Sequence, residues 1–180
     1  MPLIDHASWR EQPWKNGRGT TLEIVRWRLA TGIDRHATVG RHATQGANGR
    51  PARAFDDTGD DDYDVRISLA EVTQSGAFST FPGYRRHTFL VGPAPIQLGD
   101  TTLVAPGDHV ELPGDRAIDA VLSAGPTQLL NVLVRASLSL VIGHGPTAHP
   151  VVFSFELSAQ RAQSFDPPRV LSSRDSVWLA

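Results

Sequence analysis

The sequence contains no cysteine, which excludes disulfide frameworks, thiolate zinc sites and cysteine nucleophiles. No apolar run reaches the roughly 18 residues that a membrane helix needs. The opening stretch, MPLIDHASWREQPW, lacks the basic start and apolar segment of a signal peptide. A soluble, cytoplasmic protein is therefore expected. No excess of positive charge is present either. The formal net charge is -2 and the pI is about 6.4, so no general affinity for nucleic acid is expected. Lysine and asparagine are scarce. Of the 17 basic residues only Lys15 is lysine, and the asparagines are Asn16, Asn48 and Asn131. The single lysine thus stands beside one of three asparagines, between Trp14 and a glycine-rich turn. Lysine and arginine are not interchangeable where a compact ammonium is needed.

Catalytic signatures are equally thin. There is no G-x-S-x-G nucleophile elbow and no H-x-H pair. Gly107-Asp108-His109-Val110-Glu111-Leu112-Pro113 fits a GD-x4-P start, but Ile118 stands where a histidine ligand would be required. His144 and His149 are separated by Gly145-Pro146. A transition-metal site normally draws three protein ligands into one shell, so neither a metal nor another cofactor is expected.

What the chain does have is a series of short β-type runs. Val65–Val72 alternates, with Val65, Ile67 and Leu69 on one face and Arg66, Ser68 and Ala70 on the other. Further runs are 87–91, 95–98, 101–104, 109–112, 117–122, 128–134, 137–142 and 151–157. Gly, Pro and Asp clusters punctuate them at intervals near ten residues, the pattern of a sandwich, jelly roll or barrel. Short helical turns are expected at 2–12 and 158–164. Residues 31–64 are polar, Gly-rich and poor in large aliphatics, and read as a long, mobile surface insertion. Their aspartates lack the spacing of a calcium loop and read as a solvated charge run.

PWKNGRGTTLEI, residues 13–24, is not a Walker A loop, because its lysine precedes the glycines. Gly17 and Gly19 can adopt positive φ, and Lys15 and Asn16 offer donors suited to a carboxylate. Polar residues inside β runs form the second constellation: Arg66, Ser68, Arg86 and Asn131. A buried polar side chain needs a partner. Converging in the lumen of a barrel, these groups and Lys15 would suit a small carboxylate. The plain alternative places Arg66 and Arg86 on a solvent face.

Three segments carry a family resemblance: PWKNGRGTTLEI at 13–24, VRISLAEVTQSGAFSTFPGYRRHTFLVG at 65–92 and GDHVELPGDRAIDAVLSAGPTQLLNVLVR at 107–135. With them the chain resembles the HutD/Ves family over most of residues 9–135. The resemblance implies an all-β, cupin-like jelly roll with two β-barrel halves in one chain, here a single unit over 1–180. It implies no established catalytic activity, no cofactor, and an association with histidine utilisation and stress responses. By matching position it nominates Trp14, Lys15, Asn16, Thr20, Glu23, Arg66, Ser68, Arg86 and Asn131 for ligand binding. The implied partner is a small carboxylate metabolite of the formylglutamate or urocanate type, with no nucleic acid and no membrane; a homodimer is left open. The chain departs from the pattern at Arg18 and Leu129, where the family carries glycine and an acidic residue. Two other readings stand beside binding: a metal-independent isomerase or hydrolase using Lys15 or Glu23, and an interaction module using the 31–64 insertion.

Overall fold

The computed structural model describes residues 3–14, 19–28 and 63–180. Lys15 and Asn16 lie outside the described residues, as do positions 31–62 of the insertion. Tyr63 and Asp64, read as the end of that insertion, belong instead to the framework. The Tyr63 ring is buried against Tyr84 at 4.7 Å, and Asp64 accepts from Arg135 Nε at 2.7 Å.

The described chain is all-β apart from one 3-10 turn, His6–Ser8, where Asp5 caps the Ala7 amide. The first sheet runs β2-β3-β4-β11-β6-β9 in spatial order. Its strands are β2 (Arg10–Pro13), β3 (Gly19–Trp27), β4 (Val65–Val72), β6 (Tyr84–Leu90), β9 (His109–Pro113) and β11 (Thr127–Arg135). A second, four-stranded sheet joins β5 (Gly76–Ala77), β10 (Asp119–Leu122), β7 (Ile96–Leu98) and β8 (Thr101–Leu103). The third sheet orders β1 (Leu3–Ile4), β14 (Arg161–Leu171), β13 (Thr147–Glu156), β15 (Ser176–Leu179) and β12 (Ile142–His144). The strand pairings among the described residues are all antiparallel. Among the described residues no helix is long and apolar enough to cross a membrane.

The expected pair of closed barrel halves is not what forms. Among the described residues each sheet has two edge strands and none closes on itself. Two stacked layers replace the lumen. On one face of the six-stranded sheet, Val65, Ile67, Leu69, Leu130, Val132, Val134 and Phe89 meet Phe153, Phe155, Val177 and Leu179 of the five-stranded sheet. On the opposite face, Val72, Leu90 and Leu129 meet Ile96, Leu98 and Ala120 of the four-stranded sheet. The period-two alternation of β4 and β11 feeds both layers from the same strands.

Two local expectations change. Residues 158–164 do not form a helical turn; the chain turns at 157–160 and enters β14. Most of 137–142 is irregular, with β12 starting at Ile142. The GD-x4-P run has a structural role: the Asp108 carboxylate accepts from the Val104 and Ala105 amides at 2.7 and 2.9 Å and closes the turn into β9.

Candidate functional site

The polar residues inside β4, β6 and β11 fall into two rows because pairing register is fixed by the strands. Asn131 lies opposite Ser68 on one side and Thr88 on the other; Leu133 lies opposite Arg66 and Arg86. Ser68 in turn faces Glu23, and Arg66 faces Arg26. A β-bulge shapes this end of β3, since the register shifts between Glu23 and Val25. Regular alternation would send Glu23 and Arg26 to opposite faces. The bulge turns Ile24 and Val25 together into the apolar core and leaves both charged side chains on the polar face.

These rows floor a small hollow walled by Trp14, Thr21, Phe78, Ser79 and Phe81. Arg66, Ser68, Ala70, Arg86, Asn131 and Leu133 form its base. Its volume is about 60 Å³. A single water needs about 10–15 Å³ of such space, so there is room for roughly four to six water-sized centres. That suits a small organic acid and not a nucleotide. Trp14 is fixed in the wall by three contacts. Its indole donates to Thr21 Oγ1 at 2.8 Å, its ring meets Phe78 edge-on at 5.8 Å, and its amide donates to Gly19 O at 2.9 Å. Gly19 serves close approach here: a Cβ would stand 2.2 Å from the Glu71 carbonyl oxygen and 3.3 Å from the Trp14 ring.

The two arginines of the base have different surroundings. Arg66 donates through Nε to Glu23 Oε2 at 2.5 Å and through Nη2 to Gln12 Oε1 at 3.2 Å. Glu23 is 1 % exposed, and its Oε2 also accepts from Arg26 at 2.9 Å. Arg86 is 5 % exposed. Its Nη2 donates to the Ser79 carbonyl at 2.6 Å, and its guanidinium lies over the rings of Phe81 and Phe78 at 4.9 and 5.5 Å. Its Nε is buried without a hydrogen-bond partner. No carboxylate pairs with Arg86 among the described residues. Burial lowers the Arg86 pKa to about 10, well below the ordinary arginine value; Tyr63 opposes this, and the Arg66 charge adds a smaller downward push. At neutral pH it is a cation held in a largely apolar cup.

Asn131 completes the donor array. Its Oδ1 accepts from the buried Thr88 hydroxyl at 2.9 Å. With the oxygen so occupied, the amide NH2 is the group Asn131 has to offer a ligand.

Of the nominated residues, the structure brings Trp14, Arg66, Ser68, Arg86 and Asn131 to one hollow. Lys15 and Asn16 are not described. Two nominations are corrected. Thr20 faces away, because Thr21 lines the hollow and neighbouring strand residues point to opposite sides. Glu23 does not line the hollow; it lies buried beside it, clamped between two guanidiniums. Sequence reasoning missed Thr21, Ala70, Phe78, Ser79, Phe81 and Leu133. Alternation with Glu23 could have found Thr21. The segment GAFSTFPG carries Phe78, Ser79 and Phe81, but only the return of the loop onto Arg86 shows their use.

A profile described as HutD matches residues 6–146. An uncharacterized 21.2 kDa protein in the hutC 3′ region of Pseudomonas putida is 26 % identical over 137 residues, covering 74 % of this chain and 57 % of that relative. The chain thus spans little more than half the length of that relative. A conserved protein of unknown function from Pseudomonas aeruginosa PAO1 superposes with a TM-score of 0.56 at 19 % identity, over 98 % of this chain and 84 % of the other. The structure of HutD from Pseudomonas fluorescens SBW25, in a formate condition, gives a TM-score of 0.54 at 17 % identity, over 99 % and 92 %. At these identities the two superpositions establish a shared fold.

Proposed function

Because this chain belongs to the HutD family, we propose that it binds a small carboxylate, of the formylglutamate or urocanate type, and does not turn it over. Its role would then be regulatory, in histidine utilisation or a stress response. In the cupin-like reading of the fold, the six- and four-stranded sheets form the ligand-binding half and the five-stranded sheet the other.

One observation carries the proposal: Arg86 is a buried cation lining a hollow, with an unpartnered Nε and, among the described residues, no counter-ion. Removing a charge from water without a partner costs several kcal/mol. Chains retain such an arrangement where a ligand supplies the missing charge. A carboxylate in the hollow would accept from the Arg86 guanidinium and from the Asn131 amide, in the field of Arg66. The acid–base alternative asks for a free carboxyl, and Glu23 offers none, with Oε2 taken by two guanidiniums.

Calorimetric titration with butyrate, and with butyramide as its neutral counterpart, tests the reading. Butyrate is expected to bind and butyramide not to. Arg86→Met should abolish the difference. Equal weak heats for both ligands in the wild type would remove the basis for a carboxylate site.

A further inference from the structure

We propose that Glu23 is a positioning residue that decides which anions the hollow accepts: it reserves Arg66 and leaves Arg86 as the seat for the ligand's carboxylate. This rests on the carboxylate-binding reading above. Arg26 and Arg66 stand directly opposite each other on β3 and β4, an arrangement of like charges that destabilises a sheet unless something bridges them. Glu23 is the bridge. Its Oε2 lies 2.5 Å from Arg66 Nε and 2.9 Å from Arg26 Nη2. It reaches both only because the bulge places it on the same face as Arg26.

Two strands beyond Arg66, Arg86 receives no carboxylate among the described residues. Leu133 stands between Arg66 and Arg86 in the register. Two strand spacings separate the backbones by about 10 Å, so the Glu23 carboxylate does not serve both arginines. With Nε on Glu23 and Nη2 on Gln12, the Arg66 fork is turned away from bidentate capture. Arg86 lines the same hollow and has a buried Nε with no hydrogen-bond partner. The result is one paired arginine and one vacant one. In the wild type a ligand with two carboxylates, as in formylglutamate, would seat only one of them; neutralising Glu23 would turn Arg66 into a second seat and shift preference toward ligands that bring both carboxylates into the hollow.

The experiment compares butyrate with succinate at pH 8 by calorimetry, in the wild type, Glu23→Gln and Glu23→Asp, with thermal melts to confirm folding. Glu23→Gln is expected to raise succinate affinity relative to butyrate by about tenfold, the effect of one added charge-assisted bond. Glu23→Asp keeps the charge and should keep the wild-type ratio. A merely structural Glu23 would lower both affinities together and leave the ratio alone. Should Glu23→Gln not fold, E23Q/R26Q removes one charge of each sign and also frees Arg66, so the same ratio is read there. An unchanged ratio in a folded variant overturns the role of Glu23 while leaving the carboxylate site standing. If wild-type protein binds neither acid better than butyramide, the carboxylate reading itself fails, and this inference with it.

Discussion

Arg86→Met separates a binding arginine from a structural one, because the first role predicts almost no loss of stability and the second a clear loss. Burial holds the folded pKa of Arg86 at about 10, more than two pH units below the ordinary arginine value. Each tenfold change in proton affinity corresponds to 1.36 kcal/mol, so keeping this cation in the folded chain costs roughly 3 kcal/mol. The sign follows from linkage. A base whose folded pKa lies below its unfolded value loses stability as pH falls through the interval between the two, here from the ordinary arginine value down to about 10. At pH 7.5 both states are protonated and the penalty is fully in force. Against it stand one charged hydrogen bond to Ser79 O, about 1.5–3 kcal/mol, and the Phe78 and Phe81 contacts, about 0.5–1 kcal/mol each. The two sides nearly cancel. Methionine keeps an unbranched apolar stem against both rings. The ligand-free variant should therefore lie within about 1 kcal/mol of wild type, where truncating a buried Leu, Ile or Met to Ala removes 2–5 kcal/mol. Affinity for butyrate should fall roughly ten- to hundredfold. Urea unfolding with and without saturating butyrate reads both quantities at once: ligand shifts the wild-type midpoint and not that of the variant. A variant destabilised by more than about 2 kcal/mol that still responds to butyrate would show Arg86 to be a packing residue, and the reasoning would be refuted.

Three other perturbations test the surrounding structure. His87 is 5 % exposed, with Nδ1 3.3 Å from His109 Nε2. Burial lowers its pKa to about 4, Glu111 opposes this, and His109 and Arg85 add to it. Its contribution is complete above the ordinary value of 6.5 and is lost as pH falls toward 4, up to roughly 3 kcal/mol; His87→Phe should flatten that part of the stability profile in urea titrations at pH 7.5 and 5. Gly114 lies so close to the Phe81 loop that an added Cβ would stand 2.3 Å from Phe81 O and 2.5 Å from Tyr84 O. Gly114→Ala should lower stability by about 2 kcal/mol or more and weaken butyrate binding as Phe81 shifts from Arg86; a wild-type melt would contradict this. Thr88→Val leaves Asn131 Oδ1 without its donor. It should cost about 1–3 kcal/mol and weaken binding several-fold, while an unchanged calorimetric affinity would show that the Asn131 orientation is set elsewhere.

Much of the strand framework was legible because its signal is local. Val65–Val72 was readable to the residue, and the runs that became β7, β8, β9, β10 and β11 lay within a few residues of their observed bounds. Alternation and Gly/Pro punctuation suffice there. The C-terminal sheet was harder. In β14, RAQSFDPPRVL, two consecutive prolines read as breakers, and the pairing of β13 with β14 shifts register twice on its way past them. A sequence window does not contain the partner strand that holds such a segment extended. The site divides along the same line. Arg66, Ser68, Arg86 and Asn131 were visible as polar residues inside apolar runs. Thr20 and Glu23 are nominated by motif position, which does not carry the face of the strand that a side chain occupies. The bulge between Glu23 and Val25 has no local signature that overrides that choice.

Why the hollow lies where it does follows from the mismatch between the two covers of one sheet. On the apolar face, the five-stranded sheet covers β3, β4, β6 and β11 along the whole series from Val65 to Leu69 and from Leu130 to Val134. On the other face, the four-stranded sheet covers the end of these strands, Val72 and the adjacent pair Leu129–Leu90. The next rows along the same strands, Ser68–Asn131–Thr88 and then Arg66–Leu133–Arg86, meet the Phe78–Phe81 loop and Trp14 in place of a sheet. A loop and one indole do not exclude water as completely as a packed sheet, so polar side chains can stand there at tolerable cost. They also leave room for a guest. Extending the four-stranded sheet by one more apolar row would fill the hollow and remove the need for any arginine. The cations and the missing cover are therefore one feature, and a variant that fills the cup, such as Ser68→Leu, should abolish butyrate binding even with Arg86 intact.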